Sequence, residues 1–144
     1  MTLRSPAKIN LALSVGPPQG PSEHRPGWHP IASWMAAVDL CDDLTVEPLA
    51  PDARSSLELR FADDAPRPTP IDWPPERDLA FRAIAALEAH VRRPIPSRIA
   101  LQKRIPVGAG LGGGSSNAAA ALIALNQAHA LGLAPADLAR IGSA

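Results

Sequence analysis

The chain has 144 residues, enough for one domain with a buried core, and its 46% apolar and 19% charged residues are typical of a globular protein. Lys plus Arg and Asp plus Glu number 14 each, so the net charge is zero and a broad basic surface for nucleic acid is disfavoured. The single cysteine, Cys41, excludes an internal disulfide and favours a reducing compartment. The sequence has no apolar run of membrane-spanning length and its first residues lack a signal peptide, so we expect a cytoplasmic protein that binds neither nucleic acid nor membrane.

Five segments alternate apolar and polar residues and are therefore predicted to be strands. In the segment at residues 56–61, Leu57, Leu59 and Phe61 are expected to face inward. Two proline-rich stretches, residues 16–27 and 65–76, cannot form helix or central strand and are predicted to be loops. The five predicted strands are residues 6–15, 29–38, 43–49, 56–61 and 97–105.

Three further segments show the periodicity of helices. Residues 77–91 repeat apolar side chains at four-residue spacing, which predicts one apolar helix face. A second helix is expected from about Ser116 to Ala130, and a third begins at Pro135, a residue that suits a first helical turn. The order of strands, helix, strand and two helices predicts an α+β fold with a largely antiparallel sheet.

The most informative stretch is RIPVGAGLGGGSSNAAAAL, residues 104–122, in which five glycines and two serines precede a run of alanines. Glycine is the poorest ordinary helix former and alanine the best, so a helix begins sharply at this boundary. A helix N-terminus carries unpaired N–H groups and partial positive charge, and glycine amides approach an anion without side chains in the way. Ser115 and Ser116 can cap the helix, contact phosphate or help to hold Mg²⁺. The stretch predicts a phosphate-binding loop; the alternative is a flexible turn before a capped helix.

Two common nucleotide-binding motifs do not account for this stretch. Residues 108–113 satisfy G-x-G-x-x-G, but the preceding strand alternates polar and apolar residues, and Pro106 interrupts the approach. A dinucleotide-binding unit instead has an apolar parallel strand running into the first glycine. The pattern G-x-x-x-x-G-K-[ST] fails because Gly114 stands where the lysine belongs.

Three segments resemble motifs of the GHMP kinases, in particular of the branch that acts on 4-diphosphocytidyl-2-C-methyl-D-erythritol. PVGAGLGGGSSNAAAAL resembles the phosphate-loop motif, SPAKINLALSV the opening strand, and GWHPIASWMAAVDLCDDLTVEPL the segment that carries a Tyr-His pair. The resemblance implies a ribosomal protein S5 domain 2-like fold, with a mostly antiparallel sheet and helices on one side. Residues 1–144 would form the amino-terminal, ATP-binding domain. The family's carboxy-terminal domain and its L-G-x-D-V-P segment, with the catalytic aspartate, are absent from this sequence, so we expect a truncated form with low activity alone.

The resemblance also implies ATP and Mg²⁺ as cofactors. The reaction would be phosphorylation of the 2-hydroxyl of a cytidine diphosphate-linked methylerythritol, in non-mevalonate isoprenoid biosynthesis. Lys8 would be the catalytic residue, Asn10, Trp28 and His29 would contact the substrate, and Ser116 would hold the metal. ATP would be bound by Pro106, Val107, Gly108, Ala109, Gly110, Leu111, Gly112, Gly113, Gly114, Ser115 and Ser116.

Lys8 and Asn10 form a candidate pair even without the resemblance. Two positions apart on a strand, they project from the same face, ~6.6 Å apart along the strand. A cation beside an amide can orient a hydroxyl and stabilise the negative charge that develops on it. The sequence has twelve arginines but only two lysines, Lys8 and Lys103, which favours a need for a compact ammonium group. The alternative is a solvent-facing strand with an incidental lysine.

Other polar residues have simpler interpretations. A solvated turn between two strands is predicted at Asp39, Asp42 and Asp43. Lys103 is expected to be a cation at a strand edge, close to the phosphate loop. Asp78 stands where the resembled family has asparagine, so an altered nucleotide contact is expected. Two other functions remain open: another GHMP kinase, of the homoserine or mevalonate type, and a non-catalytic nucleotide-binding remnant.

Overall fold

The computed structural model describes residues 1–20 and 26–143. Its sheet has four strands, which are β1 (Thr2–Val15), β2 (Ile31–Pro48), β3 (Ser56–Phe61) and β4 (Ser97–Lys103), in the order β1-β2-β4-β3. β1 and β4 both pair with β2 in antiparallel fashion, whereas β3 pairs with β4 in parallel. The predicted α+β fold with a mostly antiparallel sheet is therefore confirmed.

α1 (Leu79–Val91) and α2 (Gly113–Ala128) pack on one face of this sheet, and α3 (Pro135–Gly142) packs against these two helices. α1 is preceded by a short 3-10 helix, and α3 begins with Pro135, which needs no N–H partner at that position. Among the described residues, no helix combines the length and the apolar character that crossing a bilayer requires. The short 3-10 helix comprises Pro75–Arg77.

The hydrophobic core lies between the sheet and the helices. Leu57 and Leu59 of β3 pack against it as predicted, and Phe61 is half-buried. Alanines on α1 and α2 keep these helices slim, so both approach the sheet closely and bury leucine and isoleucine between them. The buried centre contains Leu44 and Val46 of β2, Ile99 and Leu101 of β4, Ala80, Ala83, Ile84 and Leu87 of α1, and Ala121, Leu122, Ala124 and Leu125 of α2.

β2 is one continuous strand of 18 residues, and the prediction of two separate strands at residues 29–38 and 43–49 is wrong. Pro6 pairs with Cys41 and the next residue, Ala7, pairs with Val38, so two residues of β2 are accommodated in a bulge. The polar residues that suggested a turn therefore lie inside a strand, where the bulge bends the chain without ending the pairing.

Half of the long β1–β2 pair projects beyond the rest of the sheet. β4 pairs with β2 only from Asp43 to Pro48, so neither β4 nor the helices cover residues 9–15 of β1 and 31–36 of β2. We call this part the outer ribbon. The alternation of its residues correctly predicted a strand, yet several of its large apolar side chains are exposed. These are Ile9, Leu11, Leu13, Val15, Ile31, Trp34 and Met35.

The two predicted loops differ in how far they can be assessed. Residues 21–25 of the predicted loop at 16–27 lie outside the described residues; the described remainder forms neither helix nor strand. The predicted loop at 65–76 is irregular up to Pro74 and ends in the short helix Pro75–Arg77.

Candidate active site

The segment between β4 and α2, residues 104–112, is called the glycine loop here. It forms one side of a cavity of about 260 Å³, whose other walls are the first turn of α1, the end of β4 and the first turns of α2. Ser115 lines this cavity, and Ser116 is absent from its lining. The cavity is lined by Trp73, Asp78, Leu79, Lys103, Pro106, Val107, Gly108, Ala109, Gly110, Leu111, Gly112, Gly113, Gly114, Ser115 and Asn117.

A run of backbone N–H groups is left open along this cavity. Within the described chain, the N–H groups of residues 110–115 donate to no protein acceptor, and the first such bond of α2 joins Ser116 N to Gly112 O at 2.9 Å. Unpaired N–H groups at a helix N-terminus, preceded by bare glycine backbone, are an anion-binding arrangement. The loop therefore has the chemistry of a phosphate site.

Two of the glycines are required by their surroundings. Gly112 has φ +74°, the left-handed region, and a Cβ there would lie 3.0 Å from Lys8 Cγ. A Cβ at Gly113 would lie 2.9 Å from Cγ2 of the buried Ile105. Bare backbone at these two positions lets the loop turn beside β1 and lets α2 begin directly against the core.

Lys8 lies beside the glycine loop and is held from both ends. Its backbone N–H donates to Leu111 O at 2.8 Å, and its side chain crosses Gly112. Its Nζ donates to Asn10 Oδ1 at 2.6 Å, and Asn10 Nδ2 in turn donates to Ser33 Oγ at 2.5 Å. The predicted pairing of Lys8 and Asn10 on one strand face is thus present, and the ammonium group is brought to the edge of the loop.

Trp28 and His29 lie elsewhere, beyond the end of the outer ribbon at which Val15 pairs with Ile31. His29 Nδ1 is 2.8 Å from Gly16 O, and Trp28 is 64% exposed. None of the four residues lines the cavity of the glycine loop, but Lys8 contacts Leu111 and Gly112 of the loop and Asn10 is bonded to Lys8. The structure therefore brings Lys8 and Asn10 together with the loop but keeps Trp28 and His29 apart from it.

The capping role considered for Ser115 and Ser116 is wrong, because α2 begins earlier than predicted. Its first residue is Gly113 and its N-cap is Gly112, which has no side chain to accept a hydrogen bond. Both serines therefore lie within the first turns of the helix. Glycine serves as the N-cap because the chain must adopt the left-handed conformation there.

The solvated turn predicted for Asp39, Asp42 and Asp43 is correct only in the exposure of Asp39, which pairs with Arg4 and is 97% exposed at its side chain. Asp42 is fully buried and accepts hydrogen bonds from four donors. Asp42 lies two positions before the buried Leu44, and alternate residues of a strand share one face, so the sequence did indicate that Asp42 faces the core.

Lys103 is one of these donors, with Nζ 2.6 Å from Asp42 Oδ2, and it is only 5% exposed. β4 lies between β2 and β3, so the predicted strand-edge position is wrong, although Lys103 does line the cavity of the glycine loop as expected.

Asp43 and Asp64 share the guanidinium group of Arg104. Arg104 donates to Asp43 Oδ2 at 2.7 Å and to Asp64 Oδ1 at 2.8 Å. The hydrogen bond from Arg104 holds the pKa of Asp64 below its ordinary value, and the two carboxylates raise the pKa of Arg104 further above its own. These pairs anchor the beginning of the glycine loop to β2 and to the segment after β3.

Asp78 is the N-cap of α1. Its Oδ1 accepts from Ala80 N at 2.9 Å, and its Oδ2 accepts from Trp73 Nε1 at 3.2 Å. Both Asp78 and Trp73 line the cavity. The cap explains why an Asp or Asn side chain suits this position, since both satisfy an unpaired helix N–H.

Comparison with known proteins identifies the family. Residues 78–144 match the GHMP kinases N terminal domain. The chain is 36% identical over 139 residues to the 4-diphosphocytidyl-2-C-methyl-D-erythritol kinase of Aliivibrio salmonicida (strain LFI1238), covering 96% of this chain and 43% of that protein. The protein of the same name from Cyanothece sp. (strain PCC 7425 / ATCC 29141) is 38% identical over 145 residues, covering 99% of this chain and 44% of that protein. The chain belongs to the GHMP kinases.

Solved structures agree with this assignment. A crystal structure of 4-(cytidine 5'-diphospho)-2C-methyl-D-erythritol kinase matches with a TM-score of 0.70 and 35% identity, over 100% of this chain and 46% of that chain. A homoserine kinase from Cytophaga hutchinsonii matches with a TM-score of 0.63 at 19% identity, over 98% of this chain and 39% of that chain, and supports the GHMP kinase fold alone. The chain spans less than half the length of the curated relatives described above.

Proposed function

We propose that the chain is the ATP-binding part of a kinase that phosphorylates the 2-hydroxyl of 4-diphosphocytidyl-2-C-methyl-D-erythritol. The observation that carries the proposal is the run of open N–H groups at residues 110–115, with the ammonium group of Lys8 beside it. The names of the relatives, at 36% and 38% identity, support this substrate over homoserine or mevalonate.

ATP fits the glycine loop because its phosphates match the open amides. Residues 110–115 offer N–H donors, and the bare backbone at Gly112 and Gly113 lets this segment lie close against Lys8 and Ile105. Pro106, Val107, Gly108 and Ala109 continue the same wall of the cavity, as expected for an ATP-binding segment.

Mg²⁺ would be bound mainly by phosphate oxygens and water. Among the described residues, no group of three His, Cys, Asp or Glu side chains is placed to hold a metal. Mg²⁺ usually keeps several waters and few protein ligands, so a single serine hydroxyl is sufficient. We propose Ser116 for this contact, as the family resemblance implies, and Ser115 as the alternative because it lines the cavity. The bound ion would neutralise charge on the transferred phosphoryl group.

Lys8 would bind and orient the reacting groups. Its ammonium group uses one N–H for Asn10, and the others have no acceptor among the described residues. They can therefore donate to the substrate hydroxyl oxygen and to the phosphoryl group as negative charge develops. Asn10 fixes the direction of the ammonium group, and Ser33 fixes the amide of Asn10.

The cytidine part of the substrate would bind at Trp28 and His29. The exposed indole of Trp28 offers a face on which a base can stack. Because His29 Nδ1 faces the Gly16 carbonyl oxygen, it carries the proton in the neutral ring, and Nε2 is left as an acceptor for a base amino group.

We further propose that residues 1–144 form the amino-terminal domain, and that phosphoryl transfer also requires the part of the relatives' length that this chain does not span. On this proposal the chain alone binds MgATP and transfers phosphate slowly. The non-catalytic remnant remains the second candidate, and it predicts binding of MgATP without any response to the cytidine substrate.

Calorimetric titration with MgATP tests the nucleotide site. We expect saturable binding that weakens at least tenfold in Lys8→Met, about 1.4 kcal/mol, because the cation beside the loop is lost. Arg98→Met is the matched control, since Arg98 forms only an exposed pair with Glu47. Absence of saturable binding by the unchanged chain would overturn the proposal.

Tryptophan fluorescence tests the substrate. The cytidine diphosphate-linked methylerythritol is expected to quench the chain's emission, whereas homoserine and mevalonate are not. The quenching should disappear in Trp28→Phe and persist in Trp34→Phe. Trp34 is also exposed, but it lies on the outer ribbon. Quenching that survives in Trp28→Phe contradicts the assigned base site.

A further inference from the structure

The carboxylate of Asp42 joins the two ends of the glycine loop. Its Oδ1 accepts from Arg104 N at 2.6 Å and from Ile105 N at 2.8 Å, where the chain leaves β4. Its Oδ2 accepts from Asn117 Nδ2 at 2.8 Å, in the first turns of α2, and from Lys103 Nζ at 2.6 Å. One side chain therefore fixes where the loop begins and where the helix after it begins.

The carboxylate of Asp42 is buried together with the side chains of two of its partners. Asp42 is 0% exposed, Asn117 2% and Lys103 5%. A buried carboxylate is tolerated only when it is paired and fully hydrogen-bonded, and removal of one partner leaves the others without compensation. Asp42 meets this condition entirely with donors from the two segments that flank the open amides.

We propose that Asp42 is a positioning residue of the phosphate site, acting through the glycine loop rather than on the ligand. It satisfies the N–H groups of Arg104 and Ile105, the first two residues of the loop, and it ties Asn117 of α2 to the same point. The N–H groups of residues 110–115, which lie between these ties, remain open. This inference rests on the proposed function, since it assumes that those amides bind nucleotide phosphate.

Two variants that lack the buried ion pair separate the role of Asp42 as a hydrogen-bond acceptor from the effect of its charge. Both variants carry Lys103→Met, which removes the ammonium group. Adding Asp42→Asn keeps an amide oxygen for the two backbone N–H groups. Its amide nitrogen then faces Asn117, whose Oδ1 is buried without a partner among the described residues and can turn to accept it. Adding Asp42→Ala instead removes the acceptor, with the net charge unchanged between the two double variants.

Two measurements are made on each variant of the whole chain: MgATP affinity by calorimetry, and amide hydrogen exchange without nucleotide. Asp42→Asn with Lys103→Met is the reference, and we expect it to bind MgATP saturably. Asp42→Ala with Lys103→Met should bind at least tenfold more weakly and exchange at least tenfold faster over residues 104–117. Exchange over residues 79–91 should stay unchanged, because a local loss of order leaves α1 intact.

Equal affinity and equal exchange in the two double variants would overturn the positioning role. If Asp42→Ala with Lys103→Met does not fold, Asn117→Ala in the unchanged chain replaces it. This variant cuts only the tie to α2, so exchange over residues 104–117 should still rise, and unchanged exchange refutes the inference. If the unchanged chain binds no MgATP, the proposed function fails, while the exchange comparison still decides whether Asp42 orders the loop.

Discussion

Alanine at two adjacent glycines in the first turn of α2 should have opposite effects on stability. At Gly113, the added Cβ would lie 2.9 Å from Cγ2 and 3.2 Å from Cβ of Ile105, which is 1% exposed. Because Ile105 is β-branched and buried, it cannot turn away, and such overpacking costs about 1–3 kcal/mol. At Gly114, the added Cβ would meet only Leu79 Cδ1 at 3.6 Å, an ordinary contact.

The gain from replacing glycine by alanine in a helix is about 0.5–1 kcal/mol at either site. Gly113→Ala is therefore expected to lower the free energy of unfolding by about 1 kcal/mol, and Gly114→Ala to raise it by somewhat less than that. The two variants should differ by about 2 kcal/mol, which at a urea m-value of about 1.5 kcal/mol/M separates their midpoints by about 1.3 M.

Urea unfolding followed by far-ultraviolet circular dichroism, without nucleotide, measures this difference. Both variants add one methyl group to neighbouring residues of the same helical turn, so each is the control for the other. Midpoints that coincide within about 0.3 M, well below the separation derived from the m-value, would refute the argument that Gly113 is required by close approach to Ile105.

Three further predictions concern single polar groups. Burial lowers the pKa of His129, whose Nε2 lies 2.8 Å from Ser97 Oγ. The stability that this residue contributes is therefore fully present above its ordinary pKa of about 6.5 and declines as the pH falls through the lowered pKa. In His129→Gln, the urea midpoint should change less between about pH 7.5 and 5.5 than in the unchanged chain. In Arg104→Met, the pKa of Asp64 followed by carboxyl NMR should rise towards its ordinary value, because the hydrogen bond that lowers it is removed; an unmoved titration contradicts this cause. Asp78→Ala should lower the free energy of unfolding by about 1 kcal/mol in urea titrations, whereas Asp78→Asn, which caps equally well, should stay within about 0.5 kcal/mol of the unchanged chain.

Local periodicity predicted most of the secondary structure because the elements that face the core are patterned on one side. α1 is an example, since Ala80, Ala83, Ile84 and Leu87 recur at helical spacing and are all buried. The continuity of β2 between residues 38 and 43 could not be predicted in the same way. It depends on a bulge opposite β1, and pairing over that distance leaves no trace in the spacing of β2 alone.

The glycine loop and the helix after it were predicted in outline because glycine and serine before alanine have a local meaning. The contacts that fix the site come from elsewhere in the chain. Asp42 and Asn117 are 75 positions apart, and a short polar cluster in a sequence is more often solvated than buried. Similarly, Gly112 stands out as a glycine, but its close approach to Lys8 depends on how β1 packs against the loop.

Support from outside the loop explains how its amides can stay open. A loop commonly satisfies its own N–H groups by turns, and those groups are then lost to a ligand. Here the loop is held instead through its carbonyl at Leu111, which accepts from Lys8, and through Asp42 at its beginning. Neither contact consumes a donor from residues 110–115. The same strand that supplies the Lys8 ammonium group therefore also fixes the backbone beside it, so a change in β1 that moves this cation would disturb the phosphate site as well.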